Sequence, residues 1–200
     1  MPRTKQQNEM IRNRRKDMIV NAAIRVFATL PYNEVTMSAI AREAKCGHSL
    51  IYHYFDNIRD LYDSAIEKII PSFYPIMDFT KLPNQNPEIK FVGFIIYVMR
   101  LLKEDEMFPY FVQTFIYSAS VGFHVKTSGQ TFIKHFIQQS TELIKNGQKQ
   151  NKIIDMDAEQ IVTNISFTIR GICSSLIFEK RGIINIPEPS TIYLPFLKKD

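Results

Sequence analysis

Apolar residues recur along most of this chain at three- and four-residue spacing, and strand-like alternation is nearly absent. That periodicity predicts helices throughout. Three regions separate. Residues 11–70 are rich in alanine and β-branched residues at periodic places, with Pro31 as their one proline. Residues 71–87 carry Pro71, Pro75, Pro83 and Pro87; proline cannot donate a backbone hydrogen bond and blocks helix interiors, so a connector is expected there. Residues 88–186 return to long apolar periodicity. Phe91, Phe94, Ile95, Val98, Leu101 and Leu102 mark one helix, and a second starts near Pro109, since proline is tolerated in a first turn. Phe132, Phe136, Gln139, Leu143 and Ile144 mark a third, expected to end at Asn146-Gly147. A fourth begins near Asp157 and carries Ile161, Val162, Ile165, Ile169, Ile172, Leu176 and Ile177. The expected fold class is all-α.

The most informative stretch is Val35 to Phe55, VTMSAIAREAKCGHSLIYHYF. Met37, Ile40, Ala41 and Ala44 fall at i, i+3, i+4 and i+7, one narrow buried face of a short helix. Thr36 precedes it, where a hydroxyl can accept from an otherwise unpaired N–H of the first turn. Lys45-Cys46-Gly47 breaks the period, and a second short helix is expected from Gly47 or His48. There Ile51 and Phe55 form an inward i, i+4 pair, which turns Ser49, Leu50, Tyr52 and His53 outward. Such a mixture of rings, aliphatic groups and hydroxyls is unusual for a solvated face. It suits a helix lying in a DNA major groove, where hydroxyls and imidazoles meet phosphate oxygens and apolar groups touch thymine methyls. A hairpin buried in a core explains Ile51 and Phe55 but not the outward four.

Composition narrows the class. Of 200 residues, 45% are hydrophobic and 22% charged, a balance that excludes a largely disordered chain. The longest uninterrupted apolar run, Phe91 to Met99, falls well short of the roughly 20 residues of a bilayer span, so no membrane segment is expected. The basic N-terminus lacks the apolar stretch of a signal peptide. Cys46 and Cys173 read as two buried thiols in a reducing compartment, which points to the cytoplasm. Residues 1–16 hold Arg3, Lys5, Arg12, Arg14, Arg15 and Lys16 against Glu9 alone, so the chain's whole net charge of +5 resides there. That asymmetry suggests a polyanion near the N-terminus, although a solvated basic tail would look the same.

The order IVNAAIRVFATLPYNEVTMSAIAREAKCGHSLIYHYFDNIRDLYDSAI resembles the N-terminal domain of tetracycline-repressor (TetR) family transcription regulators. The resemblance covers about residues 11–66. It rests on a first helix with alanines and Phe27, a turn with Tyr32, Thr36 before Ile40-Ala41, Ile51-Tyr52-His53-Tyr54-Phe55, and Leu61 opening a further helix. It implies a three-helix helix-turn-helix DNA-binding domain over 1–60 and a helical effector-binding and dimerisation domain over 61–200, with 71–87 as the proline-rich connector. It implies DNA contacts from Thr36 and Ser38, from His48, Ser49 and Leu50, and from Tyr52, His53 and Tyr54, with Arg14 and Arg15 of the basic segment near flanking phosphates. The sequence departs from the family pattern where Lys45 and Ser49 stand for glycine, Gly47 for a serine cap, and Ile58 for a phosphate-binding lysine, with Arg59 next to it.

In the resembled family the C-terminal helices bind a small effector and form a two-fold dimer. The density of aromatics from Phe91 onward can enclose a cavity for an apolar ligand, although any single ring is more often core. Phe94, Tyr97, Phe111, Phe115, His124, Phe136 and Phe167 are the candidate ligand-binding residues, and Gln113, Asn164 and Arg170 are further polar groups set amid apolar neighbours. For a homodimer, residues 157–180 combine an aliphatic stripe with the small Gly171, Ser174 and Ser175. No nucleophile elbow, phosphate-binding glycine loop or paired metal-ligand motif occurs, so neither catalysis, a metal nor a cofactor is expected. The expected function is a cytoplasmic, homodimeric transcription regulator, most often a repressor in this family, that releases a double-stranded DNA operator when a small, largely apolar molecule binds. The alternative is a ligand carrier or interaction protein whose helix-turn-helix no longer reads DNA, motivated by Lys45 and Ile58.

Overall fold

The computed structural model describes residues 4–75, 86–120, 127–179 and 185–199, with side chains other than those of 118–120, 127–131 and 133. The architecture is all-α; among the described residues the one strand-like feature is an isolated antiparallel bridge between Ile153 and Leu197. The chain forms two compact units, Met1–Ile69 and Ile70–Asp200.

In the first unit, α1 (Lys5–Thr29) opens on a capping box. The Thr4 hydroxyl accepts from the Gln7 N–H and the Gln7 side chain accepts from the Thr4 N–H, so two orphan donors are satisfied reciprocally. Its first half is exposed apart from the half-buried Ile11, while Ile19, Val20, Ala23, Ile24 and Phe27 of its second half are buried. That half packs on α2 (Met37–Glu43) and α4 (Ile58–Ile69), and α2 packs on α3 (His48–Tyr52). Phe27, Tyr32 and Tyr62 form a ring cluster with centroids 4.8 to 6.0 Å apart, and burial raises the Tyr32 phenol above its ordinary pKa. The expected boundary at residue 60 falls too early. Leu61, Tyr62, Ala65, Ile66 and Ile69 all bury one face of α4 inside the first unit, and Lys68 pairs with Asp17 of α1.

The second unit contains α5 (Pro87–Glu104), α6 (Phe108–Ser120), α7 (Thr127–Lys149), α8 (Ala158–Phe178) and the short α9 (Ser190–Tyr193). Helix α8 packs on α6 and α7, and α5 packs on α7 and α9. Pro87 occupies the first turn of α5 behind the Asn86 cap, as its missing N–H allows. Asp157 caps α8 by accepting from the Gln160 N–H at 2.9 Å. Of the proline-rich connector, Ile70–Phe73 form a 3-10 turn, and 76–85 lie outside the described residues.

Two expectations are corrected here. Helix α7 does not stop at Asn146-Gly147 but runs to Lys149. Gly147 answers to packing instead: a Cβ there would lie 2.5 Å from Ile153 Cδ1. Cys46 is half-exposed rather than buried, whereas Cys173 is fully buried, and burial pushes its thiol up to about 12. Finally, α8 at 21 residues is long and apolar enough to cross a membrane, although no single apolar run suggests it. One face of α8 (Ile161, Ile165, Ile169, Cys173) is buried within its own unit, and the Arg170 guanidinium lies over the Tyr117 ring. That is the arrangement of a helix packed by one face within its own unit.

Candidate nucleic-acid interface and internal cavity

Local sequence builds the α2–α3 hairpin. The Thr36 hydroxyl accepts from the Ala39 N–H at 3.1 Å, closing the start of α2. At its end, the Cys46 N–H donates to the Ala41 carbonyl and the Lys45 N–H to the Arg42 carbonyl. This is the paired-bond C-terminal cap whose pivot residue sits in the left-handed region. The pivot is Lys45, at φ 51°, so lysine holds a conformation that glycine would adopt freely. Gly47 stands at the N-cap of α3 with an extended φ of −69° and makes no side-chain bond.

Ile51 and Phe55 are 0% and 2% exposed; the Phe55 N–H donates to the Ile51 carbonyl at 2.9 Å. With that pair inward, His48, Ser49, Tyr52 and His53 are exposed, and Leu50 and Tyr54 half-buried. Tyr52 presents half of its surface. The His48 and Tyr52 rings meet edge-on at 5.0 Å, as do His53 and Tyr54 at 5.1 Å, so the rings brace each other. Thr36 and Ser38 are exposed at the start of α2. Arg14 and Arg15 are exposed on α1, where Lys16 sits 5.5 Å over the Phe55 ring. Arg59 pairs with Asp63 at 3.5 Å, and Ile58 beside it is half-buried.

The second unit holds a cavity of about 250 Å³ walled by α5, α6, α7, α8 and Phe73. Phe94, Phe115 and Phe136 of the expected residues stand on its wall. Phe115 stacks on Phe73 at 4.7 Å, and Phe94 meets Phe136 at 6.1 Å. Tyr97, Phe111 and Phe167 do not stand there. A helix turns about 100° per residue, so Phe167, two positions beyond Ile165, points across α8 and is 64% exposed. Tyr97 lies beneath the Arg100 guanidinium, and Phe111 is buried beside the wall rather than on it. His124 lies outside the described residues. Gln113 is buried and Asn164 exposed, neither on the wall. Pattern reading missed Phe73, hidden among prolines, and the aliphatic wall from Val112, Val162, Ile165 and Ile169, which periodicity marks as core without distinguishing a void.

Of the α8 residues expected to form a self-complementary patch, Ile161, Ile165 and Ile169 are buried within the unit, Ile172, Ile177, Ser174 and Ser175 are half-buried, and Gly171 is exposed. With Gly171, the outward face carries Phe167, Thr168 and Phe178; Phe178 is 62% exposed, and nothing lies within 4 Å of where a Gly171 Cβ would be.

Residues 19–65 match the family model of bacterial regulatory proteins, tetR family, which spans α2 and α3 whole. The N-terminal unit is a tetR-family DNA-binding domain. Solved structures of similar fold extend the likeness over the chain. A crystal structure of an HlyIIR mutant protein is 18% identical, covers all of both chains and has a TM-score of 0.69. The ketosteroid transcriptional regulator KstR2 of Mycobacterium tuberculosis is 14% identical, covering 92% of this chain and 96% of its own, at 0.67. AibR, in complex with isovaleryl coenzyme A and operator DNA, is 14% identical, covering 90% and 95%, at 0.66. No protein of curated function matches the chain. The tetR-family domain therefore carries a DNA-binding helix-turn-helix in α2 and α3, and the whole chain has the fold of a regulator of that family.

Proposed function

We propose that the protein is a cytoplasmic homodimeric repressor that binds a double-stranded DNA operator through α2 and α3 and releases it when a small, largely apolar molecule fills the cavity of the second unit. The observation that carries the reading is the outward set on α3, held out by the burial of Ile51 and Phe55. Ser49, Leu50, Tyr52 and His53 enter the major groove, with Tyr54 and His48 at its margins. Thr36 and Ser38 meet the phosphate backbone, and Arg14 and Arg15 the flanking phosphates. The uncovered α8 face supports a dimer, which would set two recognition helices about one DNA turn apart. An effector acts by favouring one spacing of those helices over another. The neighbour crystallised with isovaleryl coenzyme A and operator DNA supports a fold that takes both a small molecule and DNA. The carrier alternative loses one of its two grounds, because Lys45 keeps the turn that glycine would make.

The test is a gel shift of the full-length protein on DNA from upstream of its own gene against random DNA, repeated over a range of salt. Specific binding with steep salt dependence is expected. Equal affinity for both DNAs would instead favour the carrier reading.

A further inference from the structure

The cavity in the second unit is selective by charge as well as by size. Six phenylalanine rings and a set of valine, leucine and isoleucine side chains form its wall, and Ser140 and Ser166 are its two polar residues. The Ser166 hydroxyl donates to the Val162 carbonyl at 2.8 Å, so it offers an occupant only lone pairs; Ser140 adds a second hydroxyl.

Among the described residues, no lysine, arginine, histidine, aspartate or glutamate reaches the wall. The two arginines on the surrounding helices are held elsewhere, each 5.2 Å from a ring centroid: Arg100 over Tyr97 and Arg170 over Tyr117. Lys103 of α5 pairs with Glu188 at 3.8 Å. A carboxylate drawn fully against this wall would lose its hydration and find no cation among the described residues, which is costly for an isolated charge. A single neutral hydroxyl or carbonyl could pair with a serine.

Size adds a second limit. At about 250 Å³ the space exceeds the roughly 150 Å³ that holds benzene and falls below the roughly 300 Å³ where pockets for drug-sized ligands begin.

From these observations we infer that the effector is an uncharged, hydrocarbon-rich molecule of one or two rings or a medium-length chain with at most one neutral polar group, and that the cavity rejects the matching carboxylate. The inference rests on the proposed effector role of this cavity but concerns binding alone.

Isothermal titration of the full-length protein at pH 7.5 with two matched pairs tests it: 1-naphthalenemethanol against 1-naphthoate, and 1-octanol against octanoate. At least one alcohol is expected to bind, at least tenfold more tightly than its carboxylate. Val162→Phe and Ile165→Trp, which fill the space, are expected to abolish that binding while the helical circular dichroism stays unchanged. Carboxylates binding as well as the alcohols, no binding by either alcohol, or binding that survives in a folded filling variant would each overturn the inference. Release of operator DNA is scored separately. An alcohol that binds the cavity yet leaves DNA bound would sink the effector-controlled reading and leave the ligand class standing.

Discussion

Lys45 holds a backbone conformation that its own side chain opposes. At φ 51° its Cβ crowds the following carbonyl, a strain of roughly 1–2 kcal/mol for an L-residue, and both cap hydrogen bonds at the end of α2 depend on it. Lys45→Gly removes the strain at the price of a more flexible unfolded chain. Urea unfolding of the variant is expected to show a gain of up to about 1 kcal/mol in the first unit; a loss would mean that the lysine side chain itself holds the turn. Asn151 takes the same role at the end of α7, at φ 57°, with the Lys152 N–H donating to the Gly147 carbonyl and the Asn151 N–H to the Gln148 carbonyl. This pair explains one misreading of the sequence. Glycine after a periodic run usually signals a helix end, but Gly147 lies inside α7 to admit Ile153, and asparagine, which tolerates the left-handed region, ends the helix four residues later. The mirror experiment is Gly147→Ala, whose new methyl would overlap Ile153. It is expected to cost about 1–3 kcal/mol of stability, read as a lower melting temperature of the second unit, and a neutral result would show that Ile153 moves aside freely.

Helix faces were legible wherever periodicity decides what is inside. Met37, Ile40, Ala41 and Ala44 are buried as their spacing requires, and so are Ile51 and Phe55. The same logic turns Ser49, Tyr52 and His53 outward without any tertiary information, while Leu50 is half-buried. What periodicity does not report is which buried face meets a void rather than a neighbour. Phe94 and Phe111 are equally aromatic, yet only Phe94 stands on the cavity wall, because that outcome depends on how four helices meet. The exposed half of α1 is another element-scale feature. Charge clustered on a solvated helix contributes through phosphates and not through base edges. Arg14→Gln with Arg15→Gln is therefore expected to lower affinity on every DNA alike and to flatten the dependence of log affinity on log salt by about one to two ion equivalents. An unchanged slope would remove α1 from the interface.

At the scale of the whole molecule, α8 is incompletely covered by the described residues. Phe167 and Phe178 expose most of their surface eleven residues apart on α8, about three turns, with the bare Gly171 between them. Large aromatic groups of this kind anchor interfaces, and a small residue between them lets a second helix approach. Phe167→Arg with Phe178→Arg is expected to convert the proposed dimer to monomer in sedimentation velocity while leaving helix content intact. A variant that remains dimeric would locate the interface elsewhere on the second unit. Because two weak half-site contacts cooperate only in a dimer, the same variant is expected to lose operator affinity despite an untouched α3. The sequence pointed to α8 for this role through its aliphatic stripe and Gly171; Gly171 is on the outward face, while Ile161, Ile165 and Ile169 are buried within the unit, since an aliphatic stripe looks alike whether it faces its own core or a partner.

The most direct measurement is the affinity of wild-type protein and Tyr52→Ala for the selected upstream DNA, at fixed salt and with dimerisation verified for both. Tyr52 is half exposed on α3 and holds no part of the core, so its truncation leaves the fold intact. The account expects an affinity loss of roughly tenfold, the effect of one base-edge contact worth about 1–3 kcal/mol, together with unchanged binding to random DNA. Equal affinity of the two proteins for the selected DNA would contradict α3 as the element that reads it.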